Sequence, residues 1–120
     1  MPLTAIFAHR GAPDPAAGIG ENTIAAFRRA RELGADGVEL DVRMTADGAL
    51  AVLHDPVLPG AGPVAELRTA DLPDEVPLLE AALAAAEGMA VNVEIKDLPG
   101  EPGFDPEERL AEAVGRLLAS

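Results

Sequence analysis

Residues 38–44 read Val38-Glu39-Leu40-Asp41-Val42-Arg43-Met44, and the alternation is strict. On an extended chain Val38, Leu40, Val42 and Met44 face one way, and Glu39, Asp41 and Arg43 the other. A second stretch repeats the pattern, with Val91, Val93 and Ile95 on one side and Asn92, Glu94 and Lys96 on the other. In an antiparallel sheet such a charged face is simply solvated. In a parallel α/β sheet both faces are covered and strands are nearly all apolar. Charges there must line a functional cavity, because a lone buried charge is very costly.

The flanking segments decide between these readings. The apolar run at residues 3–8 predicts a buried strand ending at His9, and residues 11–20 a loop. A helix is expected from Asn22 to Leu33, capped by Asn22 or Thr23, lined by Ile24, Phe27 and Ala30, and ended by Gly34. Residues 37–44 are the second strand, followed by the turn Ala46-Asp47-Gly48. Residues 49–53 form a third strand that ends at His54. Residues 56–77 hold five prolines and two glycines and predict a long loop with one helical turn near Val64–Leu67. Pro77 opens the next helix, which runs to Glu87 and stops at Gly88. Residues 90–96 are a fourth strand. A last helix follows Asp105-Pro106, with Asp105 and Glu108 at capping-box spacing. Strands alternating with helices favour an α/β fold with a largely parallel sheet.

Composition narrows the function. Nine basic residues against 21 acidic ones give a net charge of -12. A nucleic-acid partner needs a basic footprint, and this chain has none. The same field repels anionic substrates, so a phosphate ester would need local positive charge. There is no cysteine, hence no disulfide or thiolate zinc site. No basic leader and no apolar stretch of about 20 residues is visible, so stable membrane insertion is not expected and a cytoplasmic location is.

Three carboxylates, Glu39, Asp41 and Glu94, converge if their strands lie near each other. Such hard oxygen donors suit Mg²⁺ or Ca²⁺. A divalent ion there would supply the missing positive charge. The only two histidines, His9 and His54, each end an apolar strand. Active sites of parallel sheets and barrels collect at the carboxyl ends of strands. A histidine pair there can act as general acid and general base; for either one alone, a turn or capping role is the plainer reading. Arg10 suits bidentate phosphate contact, and Lys96, the only lysine, a point-charge contact. Glu21, Asn22 and Thr23 read as capping and loop-anchoring residues, and Asp55 as a group that orients His54 or accepts backbone hydrogen bonds.

In order along the chain stand His9-Arg10-Gly11, Glu21-Asn22-Thr23, Ala26-Phe27 and Gly34-Ala35-Asp36. Glu39-Leu40-Asp41-Val42, Thr45, Asp47-Gly48, His54-Asp55 and Glu94-Ile95-Lys96 follow. This series resembles the N-terminal part of glycerophosphodiester phosphodiesterases. The resemblance implies a TIM-barrel fold and hydrolysis of glycerophosphodiesters to glycerol 3-phosphate and an alcohol with a divalent cation. It implies that Glu39, Asp41 and Glu94 bind Mg²⁺ or Ca²⁺, that His9 and His54 are the acid–base pair, and that Arg10 and Lys96 hold the phosphate. By the same likeness, the glycerol 2-hydroxyl attacks phosphorus and a cyclic phosphate then opens with water. The sequence departs from the family pattern at Gly20, where a proline is usual. It also lacks the arginine-threonine element usual after His54-Asp55.

A complete eightfold barrel typically needs about 250 residues, and the chain has 120. The expected architecture is therefore a partial TIM barrel. About four parallel strands with helices would form a half barrel, and residues 1–120 would be the N-terminal half of the domain. Such a sheet has open edges. Three readings follow: a fragment of a longer enzyme, a homodimer closing the half barrel by two-fold symmetry, or a module that binds metal and phosphate without turnover. A related phosphodiesterase acting on another lipid head group is the rival enzyme.

Overall fold

The computed structural model describes residues 4–120. Leu3, where the first apolar run begins, lies outside the described residues. The elements in order are β1 (Phe7–His9), α1 (Ile24–Glu32), β2 (Gly37–Met44), β3 (Leu50–Val52), β4 (Val57–Leu58), β5 (Gly62–Pro63), α2 (Leu79–Ala85), β6 (Ala90–Ile95) and α3 (Arg109–Ala119). Short 3₁₀ turns lie at Pro15–Ala17, Val64–Glu66 and Thr69–Asp71.

β2 is the centre of the sheet. β1 and β6 pair with it in parallel, and β3 in antiparallel. Val42 pairs with both Val52 and Ile95, so β3 and β6 lie on opposite sides of β2. Glu39 pairs with both His9 and Asn92, so β1 also lies opposite β6. One edge of β2 is thus shared end to end. β1 runs up beside its first residues and β3 runs down beside its last. Among the described residues the sheet therefore has three parallel strands and one antiparallel strand, rather than about four parallel ones. The cause is the tight turn: Thr45 N–H donates to the Ala49 carbonyl, Gly48 N–H to that of Thr45, and Gly48 sits at φ +83°. So short a link joins only antiparallel neighbours. A barrel of the expected kind has eight parallel strands. Two copies of this sheet would bring six, so two-fold pairing alone falls short of closure.

The apolar face of β2 packs under the helices. Val38, Leu40 and Val42 join Phe27 and Ala30 of α1, Leu79 and Ala82 of α2, and Leu110 and Val114 of α3 in one cluster. The two parallel crossovers, through α1 and through α2, place helices on this face and leave Glu39, Asp41 and Arg43 on the other. Phe27 is fully enclosed. Phe27→Ala is expected to cost about 3–5 kcal/mol, read as a lower urea midpoint at unchanged slope.

Three local expectations are corrected. The first strand is not buried: Ile6 and Phe7 are 66% and 44% exposed, because among the described residues β1 pairs with β2 alone. Pro77 does not open α2. It precedes the cap residue Leu78, and its carbonyl accepts a bond from Val52 N–H. α3 begins only at Arg109, and the Asp105/Glu108 box does not form. Instead the Asp105 carboxylate accepts from the N–H groups of Glu107 and Arg109 and from the Arg109 side chain. Among the described residues no helix is long and apolar enough to cross a membrane.

Candidate active site

The charged face of β2 is buried although its groups are ionisable: Glu39, Asp41 and Arg43 are all nearly inaccessible. The register sets Asp41 beside Glu94 of β6. Oxygens of Glu39, Asp41 and Glu94 lie within 4.8 Å of one another, so the three carboxylates converge as the sequence led us to expect. Burial, with the neighbouring Glu94 and Asp41 carboxylates, pushes the Glu39 carboxyl up to about 7. The Lys96 ammonium, 2.8 Å away, holds Glu94 down to about 2. Glu39 Oε2 and Asp41 Oδ1 are buried and find no hydrogen-bond partner among the described residues. Unpartnered buried carboxylate oxygens in a shared pocket are what a hard divalent cation satisfies. The donor set therefore fits such an ion.

The two histidines approach this cluster from one edge of β2. β1 and β3 run toward each other, and their last residues meet over the middle of the strand. Leu53 N–H donates to the Asp41 carbonyl, which pins the end of β3 there. His54 follows, so it stands just beyond the end of an antiparallel strand rather than a parallel one. His9 Nε2 lies 3.9 Å from Glu39 Oε1, and its side chain is 70% exposed. His54 Nδ1 lies 2.7 Å from Asp55 Oδ1. A carboxylate only accepts, so Nδ1 carries the proton and Nε2 is left free for proton exchange. Of the two roles open to Asp55, the structure shows the contact that orients His54.

Arg10 and Lys96 lie beside the carboxylates. Arg10 sits at φ +57°, which turns its N–H onto Glu39 Oε1 at 3.2 Å. Its Nη1 donates to both Glu21 oxygens, and its Nε lies 3.5 Å from Asp41. Lys96 Nζ lies 3.9 Å from Asp41 Oδ1. Two concavities flank the cluster. One, of about 420 Å³, touches Lys96, Arg43 and Phe104; the other, of about 290 Å³, touches His54, Asn22 and Leu58.

The structure decides between the two candidate caps of α1 and adds roles the sequence did not disclose. Thr23 alone caps α1, accepting from Ala26 N–H. Asn22 is instead buried at φ +55°, and its Nδ2 donates to Asp41 Oδ2 at 3.0 Å. Its N–H donates to the Arg10 carbonyl, so the two left-handed residues brace each other. Arg43 grips the His54 carbonyl and Glu101. Positive φ leaves no direct mark in sequence, although asparagine is enriched there.

The chain is similar to known proteins in sequence and in fold. A model of the glycerophosphoryl diester phosphodiesterase family matches residues 9–113. A glycerophosphodiester phosphodiesterase of Caldanaerobacter subterraneus subsp. tengcongensis is 60% identical over 52 residues, which is 43% of this chain and 20% of that protein. The Bacillus subtilis protein YqiK is 36% identical over 96% of this chain and 54% of its own length. An Oleispira antarctica phosphodiesterase, solved with the product sn-glycerol-3-phosphate, superposes with a TM-score of 0.82. It is 26% identical, with 98% of this chain and 53% of that one covered. A Thermotoga maritima glycerophosphodiester phosphodiesterase gives 0.76 at 29% identity, over 98% and 50%. The chain thus spans about half the length of the relatives it matches from end to end.

Proposed function

This chain belongs to the glycerophosphoryl diester phosphodiesterase family, and from that premise we propose that it is the N-terminal part of a metal-dependent glycerophosphodiesterase. The reaction is hydrolysis of a small glycerophosphodiester to glycerol 3-phosphate and an alcohol. One observation carries the reading: Glu39, Asp41 and Glu94 converge, with two of their buried oxygens unpartnered. The glycerol phosphate held by the Oleispira relative supports the substrate class. The lack of cysteine is in keeping with a cytoplasmic site of action.

Glu39, Asp41 and Glu94 would hold Mg²⁺ or Ca²⁺, which supplies local positive charge at the phosphate in a chain of net charge -12. Lys96 and Arg10 carry the remaining positive charge of the site and orient the phosphate oxygens. Each also neutralises an acidic neighbour, Glu94 and Glu21 respectively. His9 and His54 divide the proton work. One takes the proton of the glycerol 2-hydroxyl as that oxygen attacks phosphorus; the other protonates the departing alkoxide. The cyclic phosphate then opens with water to glycerol 3-phosphate, the histidines exchanging roles.

The test is release of glycerol 3-phosphate from a panel of diesters that differ in the alcohol, with Mg²⁺ or Ca²⁺ present. His9→Ala and His54→Ala are each expected to lower the rate by about 10²–10⁴-fold. A chain that releases no more product than its His9→Ala variant sinks the hydrolysis reading. A panel response to another head group instead would favour the rival phosphodiesterase. The four-stranded sheet, with three parallel strands where a complete barrel has eight, favours one further reading, in which the same residues bind metal and phosphate without turnover. Calorimetric binding of Ca²⁺ and glycerol 3-phosphate with no hydrolysis would select it.

A further inference from the structure

Arg43 shares the inward face of β2 with Glu39 and Asp41, yet it points away from their oxygens. Its Nε and Nη2 donate to the His54 carbonyl at 2.9 and 2.6 Å, and Nη2 also donates to Glu101 at 3.1 Å. The guanidinium is nearly inaccessible. A buried ion pair is a poor way to gain stability, since apolar residues of similar volume often serve better. What a guanidinium gives that an apolar side chain does not is fixed geometry: a planar fork with two donors on one oxygen.

We infer that Arg43, backed by Glu101, is a positioning residue for His54. The fork fixes the His54 peptide from below, while Asp55 holds the imidazole at Nδ1. With both ends held, Nε2 has one place to stand. Glu101 lies in the loop that follows β6, five residues beyond Lys96. The bridge therefore also ties the segment carrying the phosphate cation to the segment carrying the histidine. Arg43 touches no reacting atom and acts through His54. The inference rests on the proposed role of His54 in proton transfer.

The chain has only two histidines, so the imidazole C–H signals in a magnetic resonance spectrum are read separately, and His9 is an internal control. Arg43→Ala is expected to shift and broaden the His54 signal, with the His9 signal and a cooperative melting transition retained. Arg43→Lys keeps one donor and is expected to restore much of the native signal. Glu101→Gln is expected to perturb it less than Arg43→Ala, and in the same direction. In turnover, a misplaced group costs up to about 10²-fold, and here the loss belongs in kcat with KM unchanged. A His54 signal that stays native in folded Arg43→Ala overturns the inference. Should Arg43→Ala fail to fold, a native His54 signal in folded Arg43→Met, which keeps the stem and removes every donor, overturns it instead. The resonance measurement needs no turnover. A chain that shows the His54 response but releases no glycerol 3-phosphate loses the hydrolysis reading and keeps the positioning one.

Discussion

Binding of Mg²⁺ or Ca²⁺ to the Glu39–Asp41–Glu94 cluster at pH 7 is expected to expel a proton. Burial and the adjacent carboxylates raise Glu39 to about 7, so near neutrality this group carries its proton about half the time. An ion must displace that proton, so its affinity should fall by up to about tenfold per pH unit below 7 and level off above it. The same group shapes the stability of the metal-free chain. Its folded value lies above its ordinary 4.5, so the stability it lends is full below pH 4.5 and lost as pH rises through 7. Glu94 has the opposite sign in a separate window. Held at about 2 by Lys96, it lends stability above 4.5 that is lost as pH falls through 2. Between pH 4.5 and 7 the Glu39 effect therefore stands alone in this pair. The ion reverses it, stabilising the fold by about 2.7 kcal/mol at a hundred times its dissociation constant. Calorimetry in two buffers of different ionisation heat measures the proton release. Equal heats in both buffers would defeat the prediction. Glu39→Gln should remove the release, and Glu39→Gln with Asp41→Asn the binding itself.

The legible part of this site is the part written in strand periodicity. Once residues 38–44 and 91–96 are read as strands, alternation alone places Glu39, Asp41, Glu94 and Lys96 on one face, and pairing does the rest. His9 and His54 were legible as strand ends. The route of His54 was not, because the rule for parallel strands does not describe a strand that returns through a tight turn. Arg43 was visible as the third charge on its face, but its partners were not. Glu101 lies 58 residues away, in a stretch of glycine and proline with no periodicity to place it. The exposure of β1 was likewise hidden, since an apolar run looks the same on an edge as in the middle of a sheet. The late start of α3 has a local cause. Glu108 takes φ +57°, so the chain turns once more before the helix can propagate.

Asn22→Ala is the substitution expected to separate a capping residue from a residue of the site. A cap at the first turn of α1 is worth about 1 kcal/mol, and Thr23 already supplies it. Asn22 does two other things. Its Nδ2 donates to the buried Asp41 carboxylate, a bond to a charged acceptor worth about 1.5–3 kcal/mol. It also occupies φ +55°, where alanine is disfavoured by about 1–2 kcal/mol. Asn22→Ala loses on both counts; Asn22→Gly loses only the first. Urea unfolding should therefore rank wild type above Asn22→Gly, and Asn22→Gly above Asn22→Ala, the two variants differing by about 1 kcal/mol. Metal affinity should behave differently, because it depends on the orientation of Asp41 rather than on the backbone at residue 22. Both variants free Asp41 Oδ2, and both should weaken Mg²⁺ or Ca²⁺ binding by about 10–100-fold, the usual cost of losing a partner that orients a ligand. Equal stability of the two variants would show that the backbone there is unstrained. Native affinity in both would return Asn22 to an ordinary loop anchor. The predicted split, graded in stability and uniform in affinity, requires that a single asparagine both turns the chain after Arg10 and aims Asp41 at the ion.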